Sequence, residues 1–173
     1  MIRVQITKSG IATIGKRGFQ EIGRKAIEAS VRYWWEHFLP LHFKNIAYLR
    51  YNYSQRDDGY NAMKRARRSW GKDNPPAIGE VKPLVFGGRS RERALSSPNI
   101  KAKAPNYTTY VGQAIINAPA FNFGKGKTID MRDEVTRLNP TEVPQLERIF
   151  TRTWNSLARA AGLRATRQTK VAA

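Results

Sequence analysis

The chain has no cysteine among its 173 residues, which excludes disulfides and thiolate-bound metal. It is also poor in acid: thirteen Asp and Glu stand against thirty-one Lys and Arg. There are two histidines, His37 and His42. Pro40 lies between them, so they share no helical face, and with only Glu36 nearby they do not complete a zinc shell. No apolar run approaches the roughly 18–20 residues needed to cross a bilayer, so no membrane contact is expected. Residues 1–6 alternate apolar and polar side chains, unlike the apolar stretch of a signal peptide.

What dominates instead is positive charge, +18 at pH 7. Such an excess repels itself in a compact state and points to an acidic or polyanionic partner. The length fits one domain, and the 40% hydrophobic fraction supports a modest core.

Along the chain, residues 2–7 alternate as a half-buried strand. Gly10, Gly15 and Gly18 then break the pattern into a loop or hairpin. From Phe19 the period becomes three to four: Phe19, Ile22, Ala26, Ile27, Ser30, Tyr33, Trp34 and His37 mark an amphipathic helix that ends before Pro40. Asp57 or Asp58 is placed to cap a short helix running through Arg68. Residues 81–86 read as a strand stopped by Gly87-Gly88, and residues 89–95 as a turn or two of helix. Residues 100–109 and 110–116 read as a meander rich in β-branched and tyrosine residues. Residues 117–127 form a glycine-containing loop, and residues 128–138 suggest a charged edge strand. Val143, Leu146, Ile149, Phe150, Trp154, Leu157 and Ala161 form the stripe of a final helix, with Asn139 or Thr141 as cap, Pro144 in its first turn and Gly162 at its end. Residues 163–173 carry Arg164, Arg167 and Lys170 and read as a flexible basic tail. The expected fold is α+β: residues 1–162 as one domain, a small, mostly antiparallel sheet packed against two long helices, with extended loops.

Catalytic signatures are weak. Phe123-Gly124-Lys125-Gly126-Lys127-Thr128 has the flavour of a phosphate-binding loop, but the required earlier glycine is replaced by Phe121. The acidic clusters, Asp57-Asp58 and Asp130-Asp133-Glu134, are explained more simply by capping and solvated edge charge than by two-metal chemistry, which needs several carboxylates converging on one cavity. No catalytic, cofactor or metal site is therefore expected, and no enzymatic activity.

Residues 43–72 are the most distinctive stretch, interleaving Phe43, Tyr48, Tyr51, Tyr53, Tyr60 and Trp70 with eight cations. Three readings stay open: a nucleic-acid surface of phosphate-neutralising arginines and stacking tyrosines, a protein interface of Tyr, Trp and Arg anchors, or a solvated face with its aromatics in the core. The candidate docking residues are Arg50, Arg56, Arg65, Arg67 and Arg68 as cations and Tyr51, Tyr53 and Trp70 as aromatic anchors. Lys125 and Lys127 in the glycine loop join them.

Trp35-Glu36-His37-Phe38-Leu39-Pro40-Leu41-His42-Phe43 leads into Ala47-Tyr48-Leu49-Arg50-Tyr51-Asn52-Tyr53-Ser54-Gln55-Arg56. Then come Tyr60, Lys64-Arg65-Ala66-Arg67-Arg68, and Lys82-Pro83-Leu84-Val85-Phe86-Gly87-Gly88. This succession, spanning residues 19–162, resembles neck and tail-completion proteins of long-tailed bacteriophages, the group of head–tail joining proteins and minor tail proteins of the Z type. The resemblance implies a structural virion subunit, made in the host cytoplasm, that forms a homo-oligomeric ring at the neck. Its neighbours would be an adaptor or head-closure protein and a tail-tube or tail-terminator protein, with possible DNA contact and no cofactor. The alternative is a sequence-independent nucleic-acid-binding protein.

Overall fold

The computed structural model describes residues 2–8, 16–56, 58–65, 84, 89–106, 108–116, 131–161 and 169–172. In chain order the elements are β1 (Ile2–Lys8), α1 (Lys16–His37), a 3-10 turn (Leu39–Phe43), α2 (Ala47–Arg50), α3 (Asp58–Arg65), α4 (Arg89–Ser96), β2 (Asn99–Lys103), β3 (Thr109–Ile115), α5 (Met131–Val135), α6 (Val143–Ala160) and β4 (Thr169–Ala172). The class is α+β, as expected. The chain divides into two compact units. The first comprises Met1–His37, Pro98–Ile115 and Leu138–Ala173, and the second Phe38–Ser97 and Ile116–Arg137.

The first unit holds the sheet and both long helices. Among the described residues its strands run in the order β2-β3-β1-β4, all neighbours antiparallel. Tyr110, Gly112 and Ala114 alternate onto one buried face of β3. Helices α1 and α6 cover that face and pack along each other. Ile22, Ala26, Ile27, Val31, Trp34 and Trp35 bury one stripe of α1, and Leu146, Phe150, Trp154 and Ala158, spaced four apart, bury one stripe of α6. Tyr110 meets Phe150 and Trp154 with ring centroids 5.8 and 5.2 Å apart, and Phe19 reaches Trp154 at 5.6 Å.

Two glycines set the depth of this packing. A Cβ at Gly23 would fall 1.8 Å from the Tyr110 ring, and one at Gly112 would fall 2.5 Å from Val31. Helix and strand therefore approach to a distance that only glycine permits. Ser30 is buried in the helix seam, and its hydroxyl donates to the Ala26 and Leu146 carbonyls at 3.3 and 3.1 Å. No helix among the described residues is long and apolar enough to cross a membrane.

Several expectations give way. Helix α1 starts at Lys16, so Gly18 lies inside it rather than in the preceding break; the strong apolar stripe that follows outweighs one glycine's helix penalty of about 1 kcal/mol. Within the stretch expected as an edge strand, Met131–Val135 form a helical turn, α5. Met131 and Val135 stand four apart, a helical spacing, and Glu134 turns inward. Residues 169–172, expected in a flexible tail, pair with Gln5–Lys8 of β1 as strand β4. The outer edge of β1 offers unpaired backbone groups there, and any extended segment can satisfy them. Glu142, not Asn139 or Thr141, occupies the N-cap of α6. Asn139 instead uses its side-chain oxygen to accept from the Thr141 amide and hydroxyl at 2.9 and 2.7 Å, because an Asx turn competes with capping. The glycine loop 117–127, residues 66–68 of the expected short helix and all of the 81–86 strand except Leu84 lie outside the described residues.

Candidate docking site

The second unit contains most of the aromatic and basic stretch. The 3-10 turn brings Leu39, His42 and Phe43 inward, and α2 contributes Ala47. The chain then turns through Asn52, whose φ of 49° is left-handed, and runs past Tyr53 to Arg56. From far along the sequence, α5 adds Glu134 and Val135 to the same buried block.

Glu134 is 1% exposed. Its carboxylate accepts from Arg56 at 3.2 and 2.5 Å and from the Ser54 amide at 3.0 Å. A buried carboxylate survives desolvation only when its lone pairs are matched this way. The Arg56 side chain is likewise buried, at 6% exposure, and donates also to the Ser54 carbonyl at 3.1 Å. Arg137 closes the other side of the turn. It donates to the Asn52 carbonyl at 2.7 Å while Asp133 holds it from behind at 2.8 Å.

Above this pair sits a stack of rings. His42 lies nearly parallel to Tyr51, centroids 3.7 Å apart, and its Nδ1 is 2.6 Å from the Tyr53 hydroxyl. Tyr48 meets Tyr53 edge-on. Burial, with the Glu134 charge and Tyr51 adding to it, pushes the Tyr53 phenol well above its ordinary range. Tyr53 therefore keeps its proton, and the short bond between its hydroxyl and Nδ1 ties the two rings together. The His42 pKa accordingly falls to about 3: burial is the main cause, the Glu134 backbone opposes it, and the Arg50 charge assists it. An imidazole whose pKa lies so far below 7, and so enclosed, is unsuited to general-base work; its ring and its bond to Tyr53 fix geometry.

The sequence-predicted residues thus separate. Tyr51 and Tyr53 are each 4% exposed, and Arg56 is committed to Glu134, so these three form the interior of the block. Arg50 is half-buried, its guanidinium 5.8 Å from the centroids of both Phe38 and Tyr51. Arg65 ends α3. Arg67, Arg68, Trp70, Lys125 and Lys127 lie outside the described residues. Sequence reasoning missed the structural parts of Glu134 and Arg137, which act across about eighty residues of chain. His42 is structural, between Leu41 and Phe43 in an apolar run.

What remains outward is the far face of α2. Ile46 and Leu49, three residues apart on one turn, are 50% and 87% exposed, while Ala47 and Tyr51 face inward. They are the exposed large apolar side chains among the described residues. Lys44 and Asn45 beside them are also exposed.

No protein-family model, no curated protein and no solved structure matches the chain.

Proposed function

We propose that the chain is a structural virion protein of a tailed bacteriophage, a ring-forming neck or tail-completion subunit that joins the head connector to the tail. The observation that carries the docking part of this reading is the direction of its tyrosines. Stacking on bases requires presented rings, and Tyr51 and Tyr53 are buried around His42. The basic and aromatic stretch is better suited to act as a rigid block bearing a protein contact. A charge of +18 then calls for acidic neighbours. The head–tail assignment itself rests on the resemblance of residues 19–162.

That same charge supports the rival, sequence-independent nucleic-acid binding. Purified protein separates the two by sedimentation and by duplex DNA titration across a salt series. Rings, or stable complexes with acidic neck and tail subunits alongside negligible DNA affinity, are the expected result. A lone monomer whose DNA affinity falls linearly on a log–log salt plot would replace the neck reading with the rival.

A further inference from the structure

We infer that the outer ridge of α6, carried by Arg148, Arg152 and Arg159, is a contact surface for the sugar–phosphate backbone of duplex DNA, independent of base sequence. This contact goes beyond the assembly role proposed above and depends only on residues of the first unit.

Helix geometry aligns the three cations. At about 100° per residue, positions 148, 152 and 159 fall within about 40° of one another, in a row about 16 Å long. All three are exposed. Leu146, Phe150, Trp154 and Ala158 hold the other side of the helix in the core, so the row is rigidly presented. Glu147, the one acid in Val143–Ala160, lies about 100° round the helix from Arg148. Among the described residues none of the three arginines has a carboxylate partner. Helix α1 shows the contrast: its outward cations Arg24, Lys25 and Arg32 are each paired with Glu21 or Glu28. The helix dipole accounts for an arginine in the last turn, as at Arg159. Arg148 and Arg152 stand two turns or more from that end, beyond its reach.

The companions of the row select the occupant. Gln145 and Ser156 are exposed on its flank, and Asn155, half-buried, lies between Arg152 and Arg159. Arginines accompanied by amides and hydroxyls are the donors that phosphate and sugar oxygens take. A protein interface is centred on apolar side chains, and α6 exposes no large one. Base stacking requires presented rings, and Phe150 and Trp154 are turned inward. The row spans about five nucleotides of one strand at about 3.4 Å each. Three neutralised phosphates correspond to a log–log salt slope of about −2.7, a loss of about fortyfold between about 0.05 and 0.2 M salt. One copy therefore holds DNA weakly, as a guide, and a ring of copies would multiply the contact.

The test titrates a fluorescent duplex of mixed sequence with the full chain across a salt series, beside a fluorescent poly-glutamate. Replacing all three α6 arginines (Arg148→Gln, Arg152→Gln, Arg159→Gln) should flatten the DNA slope by about 2–3. It should also weaken binding at least about tenfold at the lowest salt. The control (Arg24→Gln, Lys25→Gln, Arg32→Gln) removes the same charge from α1 and should change the slope by less than about 1. Glutamine forms helix nearly as well as arginine, and circular dichroism checks both chains. If a triple variant unfolds, the single α6 variants are read instead, each flattening the slope by about 0.9. Wild type that leaves the duplex unbound at low salt would overturn the inference. So would an α6 variant with the wild-type slope, an α1 variant flattened as much, or a loss confined to poly-glutamate, which would make an acidic protein the occupant. Sedimentation of the same samples keeps the neck reading separate. DNA binding through α6 by a chain that forms no ring removes that assignment and leaves this contact standing; rings that ignore DNA do the reverse.

Discussion

Arg56 and Glu134 are coupled so closely that removing one leaves the other as a buried, unmatched charge. Glu134→Ala should therefore lower unfolding free energy by about 3–5 kcal/mol in a urea titration. Replacing both together, as in Arg56→Met with Glu134→Leu, should cost far less than the sum of the single changes, because desolvation of both ions is avoided. His42 gives a second test, in pH. Its pKa is 6.5 when unfolded and about 3 in the fold, so the unfolded chain takes up the proton first as pH falls. Stability from this group is whole above about pH 6.5 and declines toward pH 3, by up to about 1.4 kcal/mol per pH unit. Urea midpoints of the wild type should drop between pH 6 and 5, above the carboxylate range. The drop should be largely absent in His42→Phe, which also loses the Tyr53 bond and so begins lower. A wild-type midpoint that stays level over that window would show that the ring is more open to water than its burial implies.

The seat of α1 on β3 sets two effects against each other at Gly23. Alanine inside a helix is favoured over glycine by about 1 kcal/mol, but here its methyl would land on the enclosed Tyr110 ring. Overpacking of that kind costs typically 1–3 kcal/mol, so Gly23→Ala should be net destabilising in chemical denaturation, and a gain would mean that the ring can move aside. Both long helices were readable because Ile22, Ala26 and Ile27, like Leu146, Phe150 and Trp154, recur at the helical period, and β3 because Tyr110, Gly112 and Ala114 alternate. The 128–138 segment misled because five charged residues among eleven suggest an edge, whereas Glu134 is drawn inside by an arginine 78 residues away. No single-sequence pattern encodes a partner at that distance. The same limit hid which side chains of residues 43–56 face inward. Tyr51, Tyr53 and Arg56 have the composition of an interface, and only the tertiary fold turns them inward and leaves Ile46 and Leu49 outside. Strand β4 was illegible for a different reason: Thr169, Lys170, Val171 and Ala172 have little apolar content, and backbone pairing with β1 asks for almost none.

At the scale of the whole chain, self-repulsion from +18 competes with surface pairs such as Arg24 with Glu21 and Glu28 and Arg32 with Glu28. Such exposed pairs contribute about 0–1 kcal/mol each, while the surplus charge acts over the full surface. Screening should therefore help more than it harms. Raising salt from about 0.05 to 0.5 M, which shortens the screening length severalfold, should raise the melting temperature, and a fall would give the pairs the larger share. The buried Arg56–Glu134 bridge has a further consequence, in time. During synthesis the residues from Phe38 to Arg56 leave the ribosome before Glu134 does, so Arg56 stays without this carboxylate until α5 has been made. A chain cut short before α5 would therefore hold neither the Arg56–Glu134 pair nor the Arg137 bond to the Asn52 carbonyl.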